Sequence, residues 1–318
     1  GPILFLLIFN IPAILTRYYG LFWGYNIGAD FINKVYKSGL MEKLSYGASI
    51  IGLGVVGAMT ATLVSLSLPF TLGSGEEAQT LDQIFNTASK MLAMSGGQIK
   101  CPIVFRGPNA SAGQLGAQHS SAFESLLANI PGIKVVSPSN GYDAKGLLKQ
   151  AIRYEEDPVC FLESEVMYGD KSEIPDEEYY IPLGKADVKK IGKDVTIVSF
   201  NKMMKVALNA ATELEKEGIS AEVIDLRTIR PLDWQTILES VKKTNRLVIV
   251  EEQWPFASVS SEITYRIQKE GFDYLDAPIR RITSADAPMH YAPNLVEAYL
   301  PSVERTVKLV KEVMYLQA

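Results

Sequence analysis

The sequence predicts an α/β protein built on parallel sheets, preceded by an apolar, mainly α-helical, membrane-like segment. Two observations carry that reading. From Leu81 onward, short runs of apolar and β-branched residues alternate with helical periods, the pattern of parallel strands covered on both faces. Before that point charge is confined: up to Gly75 the only charged residues are Arg17, Asp30, Lys34, Lys37, Glu42 and Lys43, and none lies between Leu44 and Gly75. A single fold seldom keeps its charges on one side of so sharp a boundary. The chain therefore reads as two dissimilar parts joined within residues 73–86.

Composition bounds the chemistry. At 318 residues the chain is long enough for two domains of ordinary size. It is 47% hydrophobic and 21% charged, which excludes a disordered, collagenous or coiled-coil protein. The net charge of −5 leaves no basic surplus to neutralise phosphates, so no nucleic acid is expected as a partner. Cys101 and Cys160 lie far apart and outside any CxxC motif. They make neither a disulfide framework nor a cysteine zinc site, and they fit a reducing compartment.

In the first part, residues 1–16 (GPILFLLIFNIPAILT) are almost continuously apolar, broken by Asn10 and Pro12. Gly20, Gly24 and Gly28 recur every four residues, which places them on one helical face. Arg17, Tyr18, Tyr19, Trp23 and Tyr25 suit a membrane interface. Residues 44–72 are uncharged over more than the ~20 residues a helix needs to cross a bilayer, and they are rich in small residues that let membrane helices approach. Within them Gly52, Gly54 and Gly57 spell GLGVVG, a literal GxGxxG. A dinucleotide site needs a strand before that motif and an amphipathic helix after it. Here a uniformly apolar stretch follows as far as Pro69, and close helix packing is the expected role.

In the second part, strands are expected at residues 102–105, 133–136, 159–162, 195–200, 221–224 and 247–250, with helices over 202–217 and 233–243. The stretch 169–182 (GDKSEIPDEEYYIP), dense in Asp, Glu and Pro, reads as a linker dividing α/β units 81–180 and 181–318.

Longer motifs add two family resemblances. GPILFLLIFNIPAILTRYYGLFWGYNIG, GLMEKLSYGASIIGLGVVGAM and LPFTLGSGEEAQ resemble the IID membrane subunit of mannose/fructose/sorbose phosphotransferase systems, over residues 1–80. That family passes a sugar through the membrane with a IIC partner, so the resemblance implies a membrane location and a IIC subunit as partner for this segment. The long run from Ala93 to Arg153, with FLESEVMYG, IPLGKADV, GISAEVIDLRTIRPLD, FDYLDAPIRRIT and YLPSVE, resembles the beta subunit of the decarboxylating component of pyruvate dehydrogenase over residues 81–318. The branched-chain 2-oxo acid family is the nearest competitor, and the resemblance of FRGPN and VIDLRTIRPLD leans towards pyruvate or a related acid.

The second resemblance implies an incomplete thiamine-diphosphate pyrimidine-binding domain followed by a transketolase C-terminal-type α/β domain. It also implies a cytoplasmic α2β2 heterotetramer that transfers an acyl group to lipoyl groups of an acyltransferase core. Thiamine diphosphate would lie at the α/β contact. The α subunit would supply Mg2+ and diphosphate binding through a GDG motif, which this chain lacks. The family's active-site histidine falls at His119, in AQHS, where an imidazole titrating near neutrality suits proton donation to a 2-oxo acid. His290 stands where the family commonly has another residue and is expected to be a surface or structural residue. A potassium site, mostly of main-chain carbonyls, maps to Ile103, Ala151 and Ile152 with Glu155 and Asp157, in a run (AIRYEEDP) one residue longer than the family's usual form.

The family's pyrimidine-activating Glu lies in a region whose place is taken here by the apolar segment, and Glu76 and Glu77 lack its motif. An N-terminally truncated beta subunit, inactive as it stands and fused to a IID fragment near residues 81–84, is therefore expected. The remaining strands of the first sheet should leave an unpaired edge. A membrane transport fragment and a non-catalytic assembly module are the alternatives.

Overall fold

The computed structural model describes residues 81–316. The apolar helical segment expected over residues 1–80 lies outside the described residues. Among the described residues, no helix is long and apolar enough to cross a membrane.

Two sheets form the framework. Sheet one contains β1 (Val104–Pro108), β2 (Lys134–Val136) and β3 (Val159–Glu163), parallel and in the order β1-β3-β2. Sheet two contains β4 (Asp187–Lys190), β5 (Val195–Ser199), β6 (Ala221–Asp225), β8 (Leu247–Val250) and β9 (Arg280–Ile282), in the order β4-β6-β5-β8-β9, with only β4 antiparallel. Between β6 and β8 the chain makes β7 (Thr228–Arg230), which leaves sheet two and pairs antiparallel with β2. The six runs expected as strands are strands, and their alternation of side chains is visible in the packing. In β8, Leu247 and Ile249 enter one core while Val248 and Val250 enter another on the opposite face.

The helices are α1 (Ser89–Met94), α2 (Glu124–Ala128), α3 (Gly141–Ile152), α4 (Met203–Lys216), α5 (Trp234–Thr244), α6 (Val259–Glu270), α7 (Pro293–Tyr299) and α8 (Val303–Val313). Several start where a side chain accepts from the free amides of the first turn. Asn140 accepts from Asp143 N at 2.9 Å to begin α3, and Asp233 accepts from Thr236 N at 3.3 Å to begin α5. The left-handed Asn245 (φ 59°) stops α5.

Packing ties the two sheets together. Val135, Cys160 and Leu162 of sheet one share one apolar core with Val198, Ile224 and Ile249 of sheet two and with Ile237, Val241 and Ile263 from α5 and α6. The other face of sheet two buries against α4 and α8 through Ala207, Leu214, Leu309 and Val310. The other face of sheet one buries against α3 through Val136, Leu147, Phe161 and Ile181. Within sheet one β3 is buried almost throughout, whereas β1 is half-exposed and stands at the edge among the described residues.

The expected linker has neither helix nor strand, but it is packed down onto α3. Tyr179 stacks on Tyr142 with ring centroids 4.6 Å apart, and its hydroxyl donates to Tyr142 O at 2.8 Å. Lys145 donates to the carbonyls of Pro175 and Glu177. Ile181 is buried over Gly146, where a Cβ would come within 2.7 Å of its Cγ1. Ile181→Ala should therefore cost about 2–4 kcal/mol, by lost burial plus a cavity. Chemical denaturation and limited proteolysis, with new cleavage within residues 169–182, check this.

Candidate functional site

The loop between β1 and α2 leaves the carboxyl end of a parallel strand, the side on which α/β sheets present their ligand-binding loops. Its base is closed by Ala110 N donating to Ser121 O at 2.9 Å and by Phe123 N donating to Asn109 Oδ1 at 2.8 Å. Inside the loop Gly116, at φ 77°, passes so near the Tyr291 ring that a Cβ would overlap it. The following turn, Ala117–His119, is held by Ser120 Oγ donating to Gly116 O at 2.7 Å.

This turn presents His119 to a cleft of about 530 Å³. Pro108, Ala110, Ala112, Leu115 and Phe123 give the cleft an apolar wall, and Asn109, Gln118, Ser121 and Glu165 give it polar groups. Glu165 comes from the loop after β3, so two neighbouring strand ends contribute. Asn109 is buried, and its Nδ2 has no hydrogen-bond partner among the described residues.

Behind the loop lies a buried polar network that connects it to sheet two. Lys202 Nζ, just past β5, is 2.7 Å from Glu252 Oε2, just past β8. The same ammonium donates to Ser111 O and to Ser111 Oγ (2.6 Å), and Ser111 N donates to Glu252 Oε1 at 2.9 Å. Beside it, Glu124 accepts from Ser137 Oγ at 3.1 Å and from Gln253 Nε2 at 3.0 Å. Asn201 Nδ2 donates to Ser137 Oγ at 2.8 Å. Burial raises the Glu252 carboxyl, opposed by Lys202. Burial pushes its fully buried neighbour Glu251 up to about 7, opposed by the hydroxyls of Ser260 and Ser258 and the Ser260 amide, while the Glu124 charge adds to the rise.

The residues expected to hold potassium are brought together only in part. Ile103 O accepts from Val159 N at 2.9 Å, which sets β1 beside the run that carries Asp157. Asp157 Oδ2 is paired with Lys134 Nζ at 2.9 Å. Ala151 O accepts from Tyr154 N at 3.3 Å in the turn ending α3, while Ile152 and Glu155 are exposed. Among the described residues no three His, Cys, Asp or Glu side chains group as a metal set. A cation here would depend on carbonyls and on an Asp157 that already faces an ammonium. His290 is exposed, as expected.

Lys202, Glu252, Ser111 and Asn109 were not singled out by the sequence. Their signal is faint: charged residues directly after the strand runs at 195–199 and 247–250, where burial of a Lys and a Glu requires a partner.

Relatives decide the family. A beta subunit of the pyruvate dehydrogenase E1 component from Rickettsia felis is 50% identical over 237 residues, 74% of this chain and 72% of its own length. The mitochondrial beta-1 subunit from Oryza sativa subsp. japonica is 44% identical over 298 residues, 92% of this chain and 78% of its own. The chain belongs to the pyruvate dehydrogenase E1 beta-subunit family. Against the Rhizobium meliloti beta subunit it is 49% identical over 83% of its length but spans only 57% of that relative. The transketolase C-terminal domain family matches residues 184–306 of this beta-type chain. The family of PTS mannose/fructose/sorbose IID components matches residues 1–96, past the join expected at residues 81–84. In fold, the chain is similar to a solved split-gene transketolase described as an inactive beta4 tetramer, with a TM-score of 0.58 and 24% identity over 76% of this chain and 73% of that one.

Because burial raises the Glu251 carboxyl, its neutral form contributes stability that is complete below about pH 4.5 and is lost as pH rises through about 7. Glu251→Gln keeps the neutral shape and should abolish that loss, a slope of up to ~1.4 kcal/mol per pH unit. Thermal unfolding of both proteins between pH 5 and 8 reads the difference.

Proposed function

We propose that residues 81–318 act as the beta subunit of a thiamine-diphosphate-dependent pyruvate dehydrogenase, with His119 as the proton donor to the 2-oxo acid. The observation that carries this is the place of His119 on the cleft beyond β1 and β3, in a chain of the E1 beta family.

The cleft fits one end of the cofactor and not the other. Its apolar wall and carboxyl and amide groups suit a heteroaromatic ring, but its lining has no Lys or Arg to balance a diphosphate. The diphosphate and Mg2+ therefore belong to an α subunit in an α2β2 assembly, and acyl delivery to a lipoyl-acyltransferase core follows from the same reading. Thiamine diphosphate, when bound, supplies the nucleophilic carbon and the electron sink for loss of CO2. This chain's part is to orient and protonate. Leu115 and Phe123 exclude water from one wall, Gln118 offers an amide donor to a carboxylate, and a ring nitrogen of His119 delivers a proton to the substrate oxygen. A potassium ion would stiffen the turn from Ala151 to Asp157, with Ile103, Ala151 and Ile152 supplying carbonyls.

The similarity of residues 1–96 to a IID component favours a second origin for the first part. We propose that the sequence is a chimera, in which a IID-like segment, associated in its own family with a membrane and a IIC subunit, stands where the beta subunit carries its activating Glu. Without that carboxylate, turnover should fall by ~100–10,000-fold, the usual contribution of one acid–base group.

Two measurements test these readings. Co-expressed with an α subunit, the full chain should co-purify with it, and pyruvate-dependent reduction of an artificial electron acceptor should be weak and fall further in His119→Ala. Failure to bind the α subunit, or His119→Ala activity equal to the unsubstituted chain, overturns the dehydrogenase reading. Amplification across codons 60–110 from clonal source DNA should give no continuous product; a single product refutes the chimera.

A further inference from the structure

We propose that the buried Lys202–Glu252 pair is a positioning element for catalysis: through Ser111 it holds the loop that sets His119 in the cleft. The inference rests on reading His119 as the proton donor, and it goes further by assigning the residues that place it.

The topology explains why these residues stand there. From β5 the chain crosses by α4 to β6 on one side, and then by α5 to β8 on the other, so β5 and β8 flank the point where the winding of sheet two reverses. Crevices outside strand carboxyl ends at such a point are where open α/β sheets bind ligands. Here the crevice is filled by the chain's own loop. What remains between Ala110, Glu124, Asn201, Lys202 and Glu252 has room for about one water molecule, at 10 Å³.

The occupant is held as a ligand would be. Ser111 offers a carbonyl and a hydroxyl to the Lys202 ammonium and an amide to the Glu252 carboxylate. Both charged side chains are at least nine-tenths buried, so the contacts are shielded from water and ions. A surface loop could have been tethered by apolar contacts alone, at less desolvation cost. A three-point polar anchor instead fixes direction as well as place. Of the loop's other hydrogen bonds, Ala110 N to Ser121 O, Phe123 N to Asn109 Oδ1 and Ser120 Oγ to Gly116 O close the loop on itself, and Asn109 N to Glu163 O ties it to sheet one; Gly116 also packs on the Tyr291 ring. Ser111 is thus the loop's hydrogen-bonded tie to the carboxyl end of sheet two, ahead of Gly116, where the turn that carries His119 begins to pack on Tyr291.

The test uses the full chain in detergent micelles, labelled with [13Cε1]histidine. His119 and His290 are its two histidines, so His290→Gln assigns both resonances. Lys202→Met/Glu252→Met removes the charges at similar volume. It should leave a cooperative unfolding transition and the His290 resonance in place, shift or split the His119 resonance, and raise amide exchange in residues 109–121 by about tenfold or more. Lys202→Met/Glu252→Gln, whose amide can still donate to and accept from Ser111, should return the His119 resonance to its original position. An unchanged His119 resonance in the folded double-Met variant overturns the proposal. In the unsubstituted chain, a Ser111 amide that exchanges as fast as those of Gly113 and Gln114 also overturns it, which keeps the test decisive if the double variant does not fold. None of these readouts uses turnover, so they are independent of the His119→Ala activity test of the underlying reading.

Discussion

Leu162, Val198, Ile224 and Ile249, from different sheets, are buried in one apolar core, and the placement of every polar group discussed above depends on that burial. Each such side chain is worth roughly 1.5–3 kcal/mol when taken out of water. The ion pairs beside the core are different in kind. Desolvation of Lys202 and Glu252 offsets most of their attraction, so the pair adds little net stability. Apolar burial brings the two α/β units together, and the charged groups then decide the angle and register at which loops meet.

That division of labour explains why the reactive and the supporting groups differ in exposure. His119, the proposed proton donor, stands open on a cleft, where a substrate could reach it. The groups behind it, Ser111, Glu124, Lys202, Glu251 and Glu252, are all buried. Ser111, Lys202 and Glu252 join the loops that follow β1, β5 and β8, while Glu124 accepts from Ser137 and Gln253, and Glu251 accepts from the Ser260 amide of α6. A second knot lies beside it, where the loop after β2 meets the carboxyl end of β6. Asp143 at the start of α3 pairs with Lys189 (2.7 Å) and Arg227 (2.7 Å), which also hold Asp187, while Ser139 donates to Asp225. Loops and helices of sheet one are thus fastened to sheet two by two neighbouring charged clusters, one beyond β5 and β8 and one at the end of β6.

Much of this was legible in the residues. The apolar runs 133–136, 159–162, 195–200, 221–224 and 247–250 fall on strands because burial on both faces demands continuous apolar character, and 102–105 leads into the half-exposed edge strand β1. Strands β4, β7 and β9 were not legible: DVKK, TIR and RRI are short and charged, and their pairing comes from neighbours distant in sequence. The same holds at the site. His119 could be located by its motif, but the contacts between Ser111 and the Lys202–Glu252 pair join residues more than ninety positions apart, which no local pattern reveals. The acidic linker was legible as irregular chain, yet its Tyr179 and Ile181 pack as core residues would.

The position of β7 bears on how the chain is made. Sheet one receives β2 and β3 early in synthesis, but the strand that covers the free side of β2 is not translated until residue 230. Until then β2 presents open backbone amides and carbonyls, and on the other side of the sheet β1 does the same among the described residues. Synthesis proceeds at ~5–20 residues per second, so several seconds separate the first strands from their partner. During that interval the ribosome-bound sheet keeps its β2 margin open, and pairing of that margin with another chain competes with the arrival of β7.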